Sequence, residues 1–287
     1  MVGQLQDAQV TVVGLGLMGG SLAAALRGQC RAVTGVARRA ATVDAALARG
    51  LVDRATTDLA DGVSGADVVV LATPVRTILS QIAQIGLLLP DGCLLIDLGS
   101  TKAEIVDAMA RLPGHVQPLG GHPMCGKERS GLESADPALY RDCTFVLCPL
   151  PRTSEAALAL ANQLVAAIGA HPLLLEPQRH DSLMATASHL PYLLACALVA
   201  TAGAAASADP AVCRLLASGF RDTSRLAGSD VTMMLDILLT NRLEVLKAVD
   251  SFRSLIDAMR RLLETADGEA VRAALSAIRT ERVRMLP

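Results

Sequence analysis

The sequence predicts an α/β fold in which a parallel, doubly wound sheet precedes an all-helical domain. Over about the first 175 residues, short runs rich in β-branched residues alternate with helical patterns, as they do in consecutive β-α-β units. After Pro177 the sequence contains no convincing strand pattern. We therefore predict two domains, 1–177 and 178–287.

The first domain should contain seven strands separated by helices. The predicted strands are Val10–Gly14, Ala32–Val36, Asp67–Ala72, Cys93–Leu98, Val116–Gly120, Phe145–Cys148 and Pro172–Leu175. The predicted helices are Met18–Arg27, Ala40–Arg49, a segment ending near Leu89, and segments near Thr101–Arg111 and Ser154–Ile168. The strands are continuously apolar, which is typical of a sheet covered on both faces.

The second domain should consist of helices near 179–206, 210–219, 232–265 and 267–282. Apolar residues in the third helix recur at spacings of three and four, which predicts one buried stripe. The stripe comprises Leu243, Leu246, Val249, Phe252, Ile256, Met259 and Leu263. Because such a stripe often forms a dimer interface, we expect a homodimer through this domain.

Composition argues against several classes of function. The net charge is −2, no basic tract occurs, and aromatic residues make up 2% of the chain, so neither nucleic acid nor a membrane surface is expected as a partner. The apolar stretch 190–206 is short and contains Pro191, so we expect a buried helix rather than a membrane span. The start of the sequence lacks a signal-peptide pattern, and seven scattered cysteines form no CxxC pair. We expect buried thiols in a cytoplasmic protein without a metal site.

A glycine-rich turn follows the first strand and opens the first helix. Its glycines, Gly14, Gly16 and Gly19, have the GxGxxG spacing, and a second strand follows in the required order. The first allows the tight turn, the second lets a pyrophosphate approach, and the third packs the helix against the strand. This pattern predicts a Rossmann-like domain that binds a dinucleotide at the helix N-terminus.

Residues around this turn complete the expected cofactor site. Two arginines, Arg38 and Arg39, follow the second strand, where an NAD site usually places a carboxylate. Since guanidinium groups suit a 2′-phosphate, NADP is the preferred cofactor, and NAD with two solvated arginines is the alternative. The remaining expected contacts are Leu17, Met18, Thr73 and Pro74.

Polar residues interrupt apolar surroundings in three later segments. Asp97–Lys102 and Gly120–Gly126 stand at the carboxyl ends of predicted strands, where doubly wound sheets bind ligands. The second of these places His122 in a loop between glycines and a proline. The third segment lies in the helical domain and contains SHLP at Ser188–Pro191 and GFRDTSR at Gly219–Arg225.

Together these segments resemble the prephenate/arogenate dehydrogenases of tyrosine biosynthesis. The motifs GLGLMGGSLA, DLGSTK, GGHPMCGKERSG, HDSLMATASHLPY and ASGFRDTSRLAGSD stand in the order that family uses. The resemblance implies oxidative decarboxylation of prephenate, arogenate or both, with hydride transfer to NAD(P). The length indicates the monofunctional form, without a fused chorismate mutase or regulatory domain.

The resemblance also implies residue roles. His122 would be the catalytic base, and Ser100 would bond the same substrate hydroxyl and help to orient the His. Substrate-binding roles fall to His189, Arg225 and Arg221; for Arg221, a surface ion pair with Asp222 or Glu128 is an equal alternative. Glu128 is also the nearest candidate for the ammonium of arogenate, and the GFRDTSR stretch tilts the interpretation modestly toward arogenate.

The chain departs from the family pattern at several positions. Lys127 replaces a small hydroxyl residue, Tyr192 replaces the last His of SHLPH, and Met233–Leu235 stands where a tryptophan is often found. These departures leave the reaction class standing but do not fix the substrate. The rival interpretations are a β-hydroxyacid-type dehydrogenase, which would use a lysine such as Lys247, and a non-catalytic dinucleotide sensor.

Overall fold

The sheet domain is built as a doubly wound sheet with one reversed strand. The computed structural model describes residues 2–127 and 129–285. In this part of the chain eight strands form one sheet in the order β3-β2-β1-β4-β5-β6-β7-β8. The strands are β1 Gln9–Val13, β2 Ala32–Val36, β3 Arg54–Thr56, β4 Val68–Leu71, β5 Leu94–Asp97, β6 Gln117–Pro123, β7 Thr144–Pro149 and β8 His171–Leu174.

Helices connect these strands and cover both faces of the sheet. They are α1 Leu17–Leu26, α2 Ala40–Ala48, α3 Leu59–Val63, α4 Val75–Ile85, α5 Ala103–Ala110 and α6 Glu155–Ala167. Two clusters of buried apolar side chains result, one spanning Leu5 to Ala170 and the other Val13 to Leu150. The predicted Rossmann-like class is confirmed, because the first six strands have the 3-2-1-4-5-6 order of that fold.

Three details of the predicted sheet were wrong. Strand β3 was missed, because three residues with exposed or half-buried side chains leave no apolar pattern. Strand β6 continues beyond Gly120 through Pro123, although glycine and proline usually weaken a strand. Strand β7 runs antiparallel to β6, so the sheet is not entirely parallel.

The region after Pro177 is helical, as predicted. Its α-helices are α7 Pro177–Met184, α8 Leu190–Ala208, α9 Ala211–Leu215, α10 Ser218–Ser224, α11 Val231–Thr240, α12 Arg242–Glu264 and α13 Gly268–Met285. The predicted single helix 232–265 is divided at Asn241. The chain forms one compact unit through Arg242 and a second from Leu243 onward. The domain boundary at Pro177 stays a prediction.

Two apolar surfaces expected to be buried are exposed in the single chain. In the predicted stripe of α12, Leu243, Leu246 and Leu263 are more than half exposed. The helical stretch Pro177–Ala208 has the length and composition of a membrane-crossing helix, and only 6% of its most apolar segment is buried inside the chain. Length and composition alone are weak grounds for a membrane span. Within the single chain, the described residues do not cover either face.

Candidate active site

The glycine-rich turn has the geometry that a dinucleotide requires. The φ angle of Gly14 is 101°, a backbone conformation that residues with a side chain rarely adopt. A Cβ atom on Gly19 would lie 1.9 Å from the Gly14 carbonyl oxygen. A Cβ on Gly16, in contrast, would meet no heavy atom within 4 Å. The space beside Gly16 at the start of α1 is therefore open, so the cradle fits a pyrophosphate.

The other predicted cofactor residues lie around this turn. Leu17 and Met18 form the first turn of α1, and the Met18 carbonyl accepts a hydrogen bond of 2.8 Å from the Tyr140 hydroxyl. Thr73 follows β4 and lies against Gly14, and Pro74 immediately precedes α4. The ends of β1 and β4 thus meet at the point where the strand order reverses, which is where such sheets bind ligands.

The two predicted arginines lie beyond β2. Arg38 and Arg39 are exposed, and Arg39 immediately precedes α2. Arg39 also lines a cavity of about 300 Å³ that includes Gly16 and Glu133. Arg39 therefore borders the same space as the glycine-rich turn.

A buried ion pair joins β5 to β6 below the candidate site. The Lys102 ammonium contacts Asp97 and donates a hydrogen bond of 2.7 Å to the Gly121 carbonyl, and both charged side chains are fully buried. Asp97 also accepts hydrogen bonds from the backbone N–H groups of Gly99 and Gly121. Burial raises the pKa of Asp97, and Lys102 opposes that effect. The pair fixes the loop containing Ser100 and Lys102 to the end of β6.

His122 lies in strand β6, not in a loop after it. His122 pairs with Val146 of the antiparallel strand β7, and this pairing extends the sheet past Gly120 and Gly121. Gly121 permits this extension, because a Cβ there would lie 2.4 Å from the Asp97 carbonyl oxygen. His122 is thus held by pairing with β7, which makes its position more rigid than the predicted loop.

The imidazole of His122 is neutral in this environment. Its side chain is buried, and burial lowers its pKa well below the usual value, with further lowering by the nearby His180, Lys102 and His189. A neutral imidazole has one nitrogen that can accept a proton. His122 can therefore act as a general base near neutral pH.

A chain of hydrogen bonds extends from His122 into the helical region. His122 Nδ1 lies 2.8 Å from His180 Nε2, and His180 Nδ1 lies 2.8 Å from Asp181 Oδ1. The two carboxylate oxygens of Asp181 accept hydrogen bonds from the backbone N–H groups of Lys102 and Ala103, at the N-terminus of α5. Asp181 therefore anchors the chain to the sheet domain.

His189 lies in a π-helical turn, Ala185–His189, between α7 and α8. Pro191 follows shortly and lacks the N–H that a continuous α-helix would use, which favours such an irregularity. His189 Nδ1 is 3.1 Å from Asn241 Nδ2, whereas its Nε2 is buried and has no hydrogen-bond partner among the described residues. Burial lowers the pKa of His189 to about 4.

The remaining predicted site residues are less constrained. Ser100 is half-buried in the loop between β5 and α5. Arg221 in α10 is exposed and forms no ion pair within 4.0 Å among the described residues, and Arg225 is exposed at the end of the same helix. Glu128, the proposed ammonium contact, lies outside the described residues.

The sequence interpretation missed four residues of this network: Asp97, His180, Asp181 and Asn241. The first three lie inside the motifs DLGSTK and HDSLMATASHLPY, so a polar residue within an apolar motif was the available signal. Asn241 had no such signal, because it was placed inside a continuous helix. In the structure it ends α11 instead.

Comparison with known proteins identifies the family. The model of the prephenate dehydrogenase nucleotide-binding domain matches residues 22–174, and that of the prephenate dehydrogenase dimerization domain matches residues 176–277. The chain belongs to the prephenate dehydrogenase family. It is 34% identical to a prephenate dehydrogenase of Bacillus subtilis over 272 residues, which are 93% of this chain and 72% of the relative.

Solved structures of similar proteins agree with this family assignment. One is the prephenate dehydrogenase of A. aeolicus in complex with hydroxyphenyl propionate and NAD⁺, with a TM-score of 0.91, 29% identity, and coverage of 98% of this chain and 99% of that one. Another is the arogenate dehydrogenase of Synechocystis, with a TM-score of 0.83, 29% identity, and coverage of 97% and 100%. Membership of the prephenate dehydrogenase family makes this chain a dehydrogenase with a nicotinamide dinucleotide cofactor.

The family assignment also decides between the rival interpretations. A β-hydroxyacid-type enzyme would need a catalytic lysine in the helical region, but Lys247 is exposed and lies 2.6 Å from Glu244. The prephenate dehydrogenase family supports oxidative decarboxylation over that alternative and over a non-catalytic sensor.

Proposed function

We propose that this enzyme converts arogenate, prephenate or both to tyrosine or 4-hydroxyphenylpyruvate, with His122 as the catalytic base. The observation that carries the proposal is a buried, neutral imidazole on the same sheet edge as the dinucleotide cradle. The substrate 4-hydroxyl proton passes to His122, C1 loses its carboxylate as CO₂, and the ring becomes aromatic. The bound nicotinamide supplies the hydride acceptor for C4.

The residues around His122 would hold and orient the dianionic substrate. Ser100 follows β5 at the same edge and would bond the 4-hydroxyl. His189 would contribute its unpartnered Nε2, and the exposed Arg225 and Arg221 would bind carboxylates through forked donors. No metal is needed, because aromatisation drives the loss of CO₂.

A substitution at His122 tests the catalytic assignment. We expect His122→Asn to lower kcat by about 10²- to 10⁴-fold, because general-base assistance is lost, while the Kd of the dinucleotide stays unchanged. The matched control is His171→Asn, since His171 is exposed on β8. Wild-type protein that turns over neither prephenate nor arogenate would overturn the proposal.

The preferred substrate and cofactor form a second part of the proposal. We propose NADP over NAD, supported by Arg39 beside the glycine-rich turn, and a modest preference for arogenate. The measurement is kcat/KM for both substrates with both cofactors. Arg39→Gln should lower the ratio of NADP to NAD efficiency by about tenfold or more, as expected for loss of a charge-assisted hydrogen bond. A clear NAD preference in the wild type contradicts the cofactor assignment.

The oligomeric state and location complete the proposal. A homodimer through the helical region is supported by the dimerization-domain match and by the exposed apolar face of α12. Cytoplasmic location stays a prediction.

A further inference from the structure

Two of the three buried histidines of the candidate site, His122 and His189, each contact a protein side chain through Nδ1. His122 and His180 meet edge to face, with ring centroids 5.1 Å apart and an interplanar angle of 67°. His189 meets Asn241 instead. Since a neutral imidazole has one donor and one acceptor nitrogen, the protein partner decides which one faces a ligand.

The partner of His122 leaves its Nε2 as an acceptor. A carboxylate can only accept, so His180 Nδ1 carries the proton that bonds Asp181. With its single proton on Nδ1, His180 presents an unprotonated Nε2, and His122 Nδ1 is then the donor to it. The lone pair of His122 is therefore on Nε2.

The partner of His189 has the opposite effect. Asn241 Nδ2 lies 2.7 Å from the backbone carbonyl of Asp181, which can only accept, so this atom is the amide nitrogen and not the oxygen. The same nitrogen faces His189 Nδ1, which must therefore accept. The proton of neutral His189 is on Nε2, which is buried without a partner among the described residues.

We propose that His180, Asp181 and Asn241 are positioning residues that assign opposite roles to the two histidines, His122 as proton acceptor and His189 as proton donor toward the substrate. The kinetic part of this inference rests on the proposed function. After His122 takes up the substrate proton on Nε2, the protonated imidazole keeps its Nδ1–H hydrogen bond to His180. His180 in turn bonds the Asp181 carboxylate, whose negative charge stabilises the imidazolium. Asp181 itself is held by the N-terminus of α5.

The tautomers can be measured directly in the full-length protein. Nitrogen-15 NMR of histidine-labelled wild type should show an unprotonated Nε2 on His122 and a protonated Nε2 on His189. A protonated Nε2 on His122 would overturn the inference even if the enzyme is active. If the expected tautomers are observed but the enzyme turns over neither prephenate nor arogenate, the proposed function is wrong and the positioning roles are still supported.

Two substitutions at His180 separate positioning from simple packing. His180→Phe keeps an aromatic ring but removes the acceptor, so His122 should populate both tautomers and kcat should fall about 10- to 100-fold. His180→Gln offers an amide oxygen to His122 Nδ1–H and should keep kcat within about tenfold of wild type. If kcat falls equally in both variants and the His122 spectrum is unchanged, the role of His180 is merely structural. If His180→Phe fails to fold, the Gln variant and the wild-type spectrum still decide.

A substitution at Asn241 tests the proposed role of this residue in setting the tautomer of His189. Asn241→Leu removes the donor to His189, so the His189 spectrum should show both tautomers and the substrate KM should rise about tenfold, with a smaller change in kcat. The matched control is His115→Gln, because His115 contacts the Leu89 carbonyl away from the site. An unchanged His189 spectrum in the Asn241 variant would contradict the assignment.

Discussion

The sheet region and the helical region differ in how they bury their apolar side chains. Both apolar clusters of the described chain lie before residue 171, and the sheet is covered on both faces. Among the residues that the structure describes, the exposed large hydrophobic side chains before that residue are Leu47, Leu87 and Leu88, and the others follow it. The first region therefore completes its core within one chain, whereas the second leaves apolar faces to be covered.

The two regions also contribute differently to the candidate site. The sheet holds the glycine-rich turn and His122, while the side chains that contact His122 and His189 come from α7 and from the end of α11. In the proposed mechanism, the strand therefore positions the base, and the helical region sets which nitrogen of that base faces the substrate.

The largest expected effect concerns the exposed face of α12. Ile256→Glu with Leu263→Glu should convert the proposed dimer to a monomer. Burying one such side chain is worth about 1.5–3 kcal/mol, and four change per dimer, so the dimer should weaken by about 10⁴-fold or more. Sedimentation velocity at micromolar concentration measures this. Leu87→Glu, at an exposed position of the sheet region, is the control. A variant that remains dimeric would show that α12 is not the interface.

The next largest effect concerns the buried ion pair of the sheet region. Lys102→Met leaves the Asp97 carboxylate buried without its partner, which should cost about 3–5 kcal/mol of unfolding free energy. Urea denaturation measures the loss. Lys127→Met removes a comparable pair with Asp136 at the surface, and should cost about 1 kcal/mol or less. Equal losses in the two variants would contradict the importance of burial.

A further effect concerns the pH dependence of stability. The folded-state pKa of His189 is about 4, against 6.5 for the ordinary value, so between these two pH values the unfolded chain binds a proton that the folded chain does not. The contribution of His189 to the free energy of unfolding is fully present above pH 6.5, and it falls by about 3 kcal/mol as the pH drops to about 4. His189→Gln should reduce that slope in urea denaturation, and exposed His171→Gln should not. A slope unaffected by His189→Gln would show that the loss arises elsewhere.

The smallest expected effect lies in the glycine-rich turn. Gly16→Ala meets open space, so its stability should change by less than about 1 kcal/mol, while the dinucleotide Kd should rise by about tenfold or more because the methyl group occupies the pyrophosphate space. Calorimetric titration measures the affinity. Gly19→Ala forces a contact with the Gly14 carbonyl and should instead destabilise the fold. Unchanged dinucleotide affinity in Gly16→Ala would place the cofactor elsewhere.

Features with a local pattern were predictable from the sequence. The alternation of strands and helices and the glycine spacing follow from residues close together in the chain, and the roles of His122 and His189 were implied by the resemblance of local motifs to the family. Strand β3 and the extension of β6 were missed, because neither has an apolar alternation and glycines argue against a strand. Tertiary pairing overrides such local preferences.

By itself, the sequence determined the fold class, the dinucleotide turn and the motifs of the prephenate dehydrogenase family, because periodicity and turn chemistry are local properties. Only the tertiary structure decided that His122 meets His180, 58 residues away, and that Asn241 meets His189. Such contacts depend on how helices pack against a sheet, which no spacing encodes. The same reason explains why the stripe of α12 looked buried in the sequence and is exposed in the chain: a pattern shows that a face is apolar, but not what covers it.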